Sequence, residues 1–280
     1  MGKLLRKPLN ERIAPGVTLV QDINQANSPL SYVGFRLIEM EKGAIYQEEL
    51  TDIECCIVGL TGKITVSEGD DIFAEIGTRA NVFEKIPTDS VFISGGRAFQ
   101  VKADTEKARV ALCYSPANRD LPTTLIKASD NSIEQRGKYQ NKRLVHNILP
   151  DVSEVASSLL VVEVYTDGGN FSSYPPHKHD RDNLPAESLL EESYYHEINP
   201  EQGFIFQRVY TDDRMLDETM AVEHQNAVIV PEGYHPVGVP DGYDSYYLNV
   251  MAGPKRIWKF HNDPDHEWIF RARLRGGFEA

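Results

Sequence analysis

Apolar positions along this chain come in short runs of Val, Ile, Tyr and Phe, broken by Gly, Pro, Asn and Asp; this is the rhythm of strands and turns. The runs predict strands over 32–40, 53–60, 63–66, 72–76, 90–93, 98–101 and 108–114. Gly62 and the Gly69-Asp70-Asp71 cluster mark hairpin turns between them. Residues 115–145 turn polar and read as a linker between domains. The strand rhythm then resumes over 159–165, 192–196, 204–210, 219–222, 227–230, 233–238 and 246–252. Helical periodicity is scarce, and 185–192 predicts at most a turn or two within a loop.

Two β-rich halves of similar size point to an all-β chain made of a duplicated barrel, divided into 1–140 (first barrel plus linker) and 141–280. Segments 82–93 and 227–236 form a weak internal match.

At 280 residues the chain is long enough for substantial cores. Its 41% hydrophobic and 25% charged residues describe an ordinary globular protein and exclude a disordered one. No stretch approaches the roughly 20 apolar residues that span a bilayer, and residues 1–8 are basic without an apolar core behind them, so neither an anchor nor a secretory leader is expected. The formal net charge of −13 argues against nucleic acid and anionic membranes as partners. An anionic substrate would have to be drawn in by a local cationic site. The cysteines Cys55, Cys56 and Cys113 make a poor disulfide framework; they predict buried thiols in a reducing cytoplasm.

Candidate chemistry concentrates in the second half. In Pro175-Pro176-His177-Lys178-His179-Asp180 the two histidines stand two apart, so on a strand they share one face and Lys178 points outward. Downstream lie an acidic strand start, Leu190-Glu191-Glu192-Ser193-Tyr194-Tyr195-His196, and a turn, Val230-Pro231-Glu232-Gly233-Tyr234-His235-Pro236. A histidine pair alone is weak evidence of a metal, but this order is more specific. It resembles the two motifs of the cupin superfamily, in which three histidines and a glutamate hold one divalent metal inside a barrel. That likeness implies His177, His179, His235 and either Glu191 or Glu192 as ligands. Glu192 is favoured because it shares a strand face with Tyr194 and His196, and Glu187 is a distant third. The glutamate follows His179 at a longer interval than is usual in cupins, which calls for an inserted loop over 182–190. Asp180 is expected to orient a ligand histidine or to end the strand.

Beyond these ligands, the blocks Gly203-Phe204-Ile205-Phe206-Gln207-Arg208-Val209-Tyr210 and Tyr246-Tyr247-Leu248-Asn249-Val250-Met251-Ala252-Gly253-Pro254 complete a pattern. It resembles the 5-deoxy-glucuronate isomerase family of inositol catabolism, distantly similar to 5-keto-4-deoxyuronate isomerases. The resemblance covers essentially the whole chain. It implies a bicupin of two double-stranded β-helix (jelly-roll) barrels with metal only in the second, and residues 1–140 indeed contain no histidine. It also implies one divalent ion per chain, zinc first, with manganese, iron or nickel as alternatives. The partners implied are a small sugar acid and further copies of the chain in a homo-oligomer.

The implied reaction converts 5-deoxy-D-glucuronate into 5-dehydro-2-deoxy-D-gluconate. Such an aldose–ketose isomerisation needs a Lewis acid for the developing oxyanion and a base to carry the proton. Glu192, Glu191, His196 and Tyr210 are the candidates for the proton. Arg208 is the first choice for the substrate carboxylate, with Lys178 a further candidate and Arg181 and Arg214 loop alternatives; a plain surface arginine is the competing reading of Arg208. Tyr246 and Tyr247 read as strand packing. His146 and His224 read as surface or boundary residues; the spacing of His261 and His266 hints at a second metal site, but a turn capping the barrel mouth is the favoured reading. The rival functions are a metal-dependent cupin dioxygenase and a non-catalytic sugar-binding bicupin.

Overall fold

The structure, a computed structural model, describes residues 3–270; Met1, Gly2 and residues 271–280 lie outside the described residues. Two pairs of antiparallel sheets account for most of it, as the all-β reading expects. A seven-stranded sheet runs in the order Thr124–Ile126, Ser90–Ile93, Ile53–Thr61, Lys107–Pro116, Gly34–Glu41, Val17–Ile23 and Glu11–Ala14. A four-stranded sheet of Ile45–Glu49, Ala98–Ala103, Ile64–Glu68 and Asp71–Ile76 closes the first barrel against it.

The second barrel repeats the plan. Its large sheet runs Leu5–Arg6, Ala227–Val230, Glu191–Asn199, Asp244–Ala252, Leu160–Thr166, Arg143–Leu149 and Ser132–Arg136. Its small sheet holds Phe171–Ser172, Val237–Gly238, Phe204–Tyr210 and Asp217–Glu223. Two segments from the amino-terminal half of the chain serve the second barrel. Leu5–Arg6 crosses to pair with Ala227 and Val228, and part of the predicted linker, Ser132–Arg136, becomes an edge strand of the second barrel. The segment expected to coil at 185–192 forms instead the hairpin of Asp180–Asn183 with Glu187–Leu189, which is the loop inserted between His179 and Glu192.

The large sheets pack face to face at the centre of the molecule. Strand Ile53–Thr61 shows why its sequence is apolar throughout. Cys55 and Ile57 enter the first barrel's own core, while Cys56, Val58 and Leu60 join a cluster shared with the second barrel. Across this seam Phe35 stacks on Tyr195 at 5.7 Å between ring centroids. All three cysteines are free and buried, as predicted.

Charge also crosses the seam. Glu54 of the first barrel accepts the backbone N–H groups of Ser157, Ser158 and Leu159 at 2.7–3.0 Å. Reciprocally, Glu191 of the second barrel accepts those of Ser31 and Tyr32. Arg79 reaches over to Glu163, whose Oε1 also accepts the Tyr246 hydroxyl at 2.8 Å, and Arg109 pairs with Glu197. Each of these acids has its lone pairs satisfied, which a buried charge requires.

Candidate metal centre and active site

Strand alternation brings His177 and His179 to one side of their strand, where the turn Gly233–His235 meets them. Gly233 makes that turn possible. Its φ is +91°, and a side chain there would fall 2.5 Å from the Tyr210 carbonyl oxygen. Nitrogen atoms of His177, His179 and His235 all lie within 4.8 Å of one another. Glu192 completes the group, with Oε2 at 3.1 Å from His235 Nε2 and 3.3 Å from His179 Nε2.

The protonation of the ring nitrogens follows from their surroundings. His179 Nδ1 donates to the Leu190 carbonyl at 2.9 Å, and His235 Nδ1 to the Gly233 carbonyl at 2.9 Å. That fixes the tautomers and leaves both Nε2 atoms buried without a hydrogen-bond partner, aimed at the same point. Buried polar atoms are normally satisfied, so a pair of orphaned acceptors beside a carboxylate marks the place of a cation. Burial lowers the pKa of His177, and the charges of His235 and His179 add to the effect; burial likewise leaves His235 lowered. Burial also opposes charge on His179, but Glu192 outweighs it and the pKa is raised. Glu192 itself would be raised by burial, yet His235 and His179 hold it below the usual carboxylate range. Three imidazoles beside an ionised carboxylate form a donor set that fits a divalent metal. Among the described residues this is the one histidine cluster of that kind.

The other residues singled out from the sequence take up different positions. Glu191 faces away from the triad and holds the first barrel's Ser31 and Tyr32 amides. His196 is fully buried, stacks on Tyr194, and shares a 3.0 Å hydrogen bond between its Nε2 and Gln207 Oε1; burial lowers its pKa to about 4. Tyr210 donates to Asp263 Oδ2 at 2.7 Å. Arg208 is half-exposed on the outer sheet, bound through two nitrogens to Asp217 and lying over the Tyr210 ring, as the surface-arginine reading anticipated. Arg181, on the hairpin strand Asp180–Asn183 rather than a loop, pairs with Asp212, and Arg214 also covers Tyr210.

Lys178 departs from expectation: it is buried rather than directed to solvent, because Asp180 and Glu187 of the adjoining hairpin enclose its ammonium group. Asp180 contacts no ligand histidine and instead accepts the Gly233 N–H at 2.9 Å. His146 is also fully buried, 3.5 Å from Glu163, and not at the surface. His261 belongs to a short strand pairing with His177 and Lys178.

A small cavity opens beside the triad on the concave face of the large sheet. Glu192 and Tyr194, then Tyr247 and Asn249, then Val162 and Val164 line it on successive strands. The Tyr194 hydroxyl donates to Glu192 Oε2 at 3.2 Å, and Asn249 donates to Oε1. Burial raises the Tyr194 pKa well above normal, and Glu192 adds to it, so this hydroxyl keeps its proton. At the far side stand Arg136 and Arg143. Sequence reasoning passed over both, because they lie in the polar stretch read as a linker. The signal available was the return of apolar residues after Arg143, in Leu144-Val145-His146-Asn147-Ile148-Leu149. A roomier cavity in the first barrel, lined in part by Arg36, Glu48 and Tyr114, contains no histidine, and its arginine is already paired with Asp22 and Glu48.

The chain matches the KduI/IolB family over residues 4–269. It is 97% identical to a 5-deoxy-glucuronate isomerase of Listeria monocytogenes serotype 4b over 269 residues, covering 96% of this chain and 98% of that one. A protein of the same name from Bacillus velezensis is 65% identical over 96% of this chain and 99% of its own. Among solved structures, an IolB-like protein from Salmonella typhimurium superposes with a TM-score of 0.91 at 46% identity, covering 95% of this chain and 99% of that one. Oxalate decarboxylase of Lactobacillus farciminis superposes with a TM-score of 0.65 at 12% identity, over 98% of this chain and 93% of its own, which shows the shared bicupin fold.

Proposed function

Because the chain belongs to the KduI/IolB family, we propose that it isomerises 5-deoxy-D-glucuronate to 5-dehydro-2-deoxy-D-gluconate in inositol catabolism, with His177, His179, His235 and Glu192 holding one divalent metal, zinc first among the candidates. What supports the metal is the pair of buried, unpartnered Nε2 atoms facing the Glu192 carboxylate. What supports the reaction is the name shared by close relatives.

When bound, the ion supplies Lewis acidity to the substrate's carbonyl and adjacent hydroxyl oxygens. The chain supplies the rest. Glu192 is the ionised group facing the cavity that can take the proton from C2 and return it to C1. Tyr194, whose one hydroxyl proton rests on Glu192 in the free site, can turn it to O1 as charge develops there and take up the O2 proton in return, which completes the transfer. His196 and Gln207 hold Tyr194 from behind by stacking and hydrogen bonding. Barrel walls of Val162, Val164 and Tyr247 keep water from the enediol.

The first barrel acts as scaffold in this reading, with the join between the two falling between Ile126 and Ser132. No helix of the described residues is long and apolar enough to cross a membrane, and the free buried thiols support a cytoplasmic setting. The exposed Phe171, Phe204 and Phe206 on the outer small sheet support a homo-oligomer.

The deciding experiment follows the aldehyde signal of 5-deoxy-D-glucuronate by NMR alongside metal analysis of the purified protein. Loss of turnover and of bound metal in His177→Ala/His179→Ala is the expected result. Full activity in that double variant overturns the site.

A further inference from the structure

Arg143 is mostly buried beside the triad, yet among the described residues no carboxylate pairs with it. Its single protein partner is the Asn141 carbonyl, which accepts from Nη1 at 2.9 Å. Buried guanidinium groups are ordinarily paired, since an uncompensated charge is costly to desolvate. A second, independent feature aggravates that cost. Strand register sets Arg136 directly opposite Arg143, and both line the cavity. Like charges facing each other across neighbouring strands repel. Arg136 is held there by Glu134 at 2.8 Å on one side and by the Trp258 ring, 5.4 Å away, on the other. Two cations are thus fixed at one wall of a cavity in a protein whose overall charge is −13.

The wall next to them is apolar. Val145 shares a strand face with Arg143, its register partner is Val164, and Val162 follows on the same face. A chain molecule with its carboxylate at the arginines therefore lays its next carbon on valine side chains and its far end toward His177 and Glu192. We propose that Arg143 and Arg136 receive the substrate carboxylate, while Val145, Val162 and Val164 select the 5-deoxy sugar acid by contacting the methylene that replaces a hydroxyl-bearing carbon. This inference deepens the isomerase reading and rests on it for the identity of the substrate. The recognition has two parts. Bidentate guanidinium geometry reads the carboxylate, and three valines offer no hydrogen bond to a hydroxyl at the adjacent carbon, so a uronate carrying one would be desolvated without recompense.

The test uses the holoenzyme and a non-reacting ligand, the alditol acid obtained by reducing the aldehyde of 5-deoxy-D-glucuronate, together with its carboxamide. Calorimetry on the wild type is expected to show tighter binding of the acid. Arg143→Gln removes that preference by about tenfold or more while metal content stays as in the wild type; Arg143→Lys keeps part of it. Val164→Thr is expected to narrow the preference for 5-deoxy-D-glucuronate over D-glucuronate, a discrimination of order 10²-fold for an apolar wall against an added hydroxyl. An acid preference unchanged in Arg143→Gln overturns the proposal, and if that variant does not fold, the same comparison in Arg136→Gln decides. Failure of the isomerase reading shows separately, as a wild type that binds the acid but turns over no 5-deoxy-D-glucuronate.

Discussion

Asp180 Oδ2 accepts the backbone N–H of Gly233 at 2.9 Å, so the strand carrying His177 and His179 is tied directly to the turn carrying His235. The same carboxylate pairs with the buried Lys178, whose other partners are Glu187 and, at 3.7 Å, Asp212. Three ligands separated in sequence are thereby held in register by one acid that touches none of them. Asp180→Ala is expected to weaken metal binding by about 10–100-fold, the usual effect of removing a group that orients ligands. Competition against a chromophoric chelator measures it; unchanged affinity would show that the turn holds itself.

The adjacent glutamates should separate cleanly. Glu192→Gln is expected to lose activity by at least about 10²-fold and to bind metal poorly. Glu191→Ala is expected to retain metal while losing roughly 1–3 kcal/mol of stability, because the Ser31 and Tyr32 amides at the seam lose their acceptor. Metal analysis and denaturant titration of the two variants form the comparison. A metal-free Glu191→Ala would reverse the assignment.

Glu163 makes stability depend on acid. Burial would raise its pKa, but the Arg79 guanidinium, the nearby His146 ring and the hydrogen bonds of Arg79 and Tyr246 bring it down to about 2. A depressed carboxylate stabilises the fold above its unfolded pKa, near 4.3, and that contribution disappears as pH falls toward the folded value. Stability is therefore expected to decline between about pH 4.5 and pH 2. Thermal melts of the wild type and Glu163→Gln across that range should converge as the pH drops, and parallel curves would exclude this origin.

The outer aromatic patch makes a prediction about assembly. Phe206→Glu, on the exposed face shared with Phe204, is expected to shift sedimentation toward a smaller species if copies associate there. An unaltered profile places the contact elsewhere.

Much of the second barrel was legible because alternation is a local property. Its period put His177 with His179 and Glu192 with Tyr194, and chose Glu192 over Glu191 for the cavity side. Lys178 obeyed the same alternation and still went wrong, since the face opposite the ligands is covered by a hairpin that the sequence offered only as an insertion. Arg143 and Arg136 escaped notice for a related reason. Polar residues inside strands look like linker until a register sets them against a neighbouring strand. The seam acids were beyond reach altogether: Glu54 with Ser157, and Glu191 with Ser31, are partners that no local pattern connects.

The crossover of Leu5–Arg6 to Ala227–Val228 carries a kinetic consequence. Ile229 donates its N–H to the Leu4 carbonyl at 3.0 Å, so the outermost strand of the second large sheet is supplied by a segment synthesised long before its partner exists. During translation that segment must wait, unpaired, until nearly the whole second barrel has left the ribosome. Contacts so distant along the chain slow folding, because loop closure must precede them. The first barrel can condense early, but this edge closes only when the amino-terminal strand meets Ala227–Val228, which makes that strand a late latch on maturation rather than a seed for it.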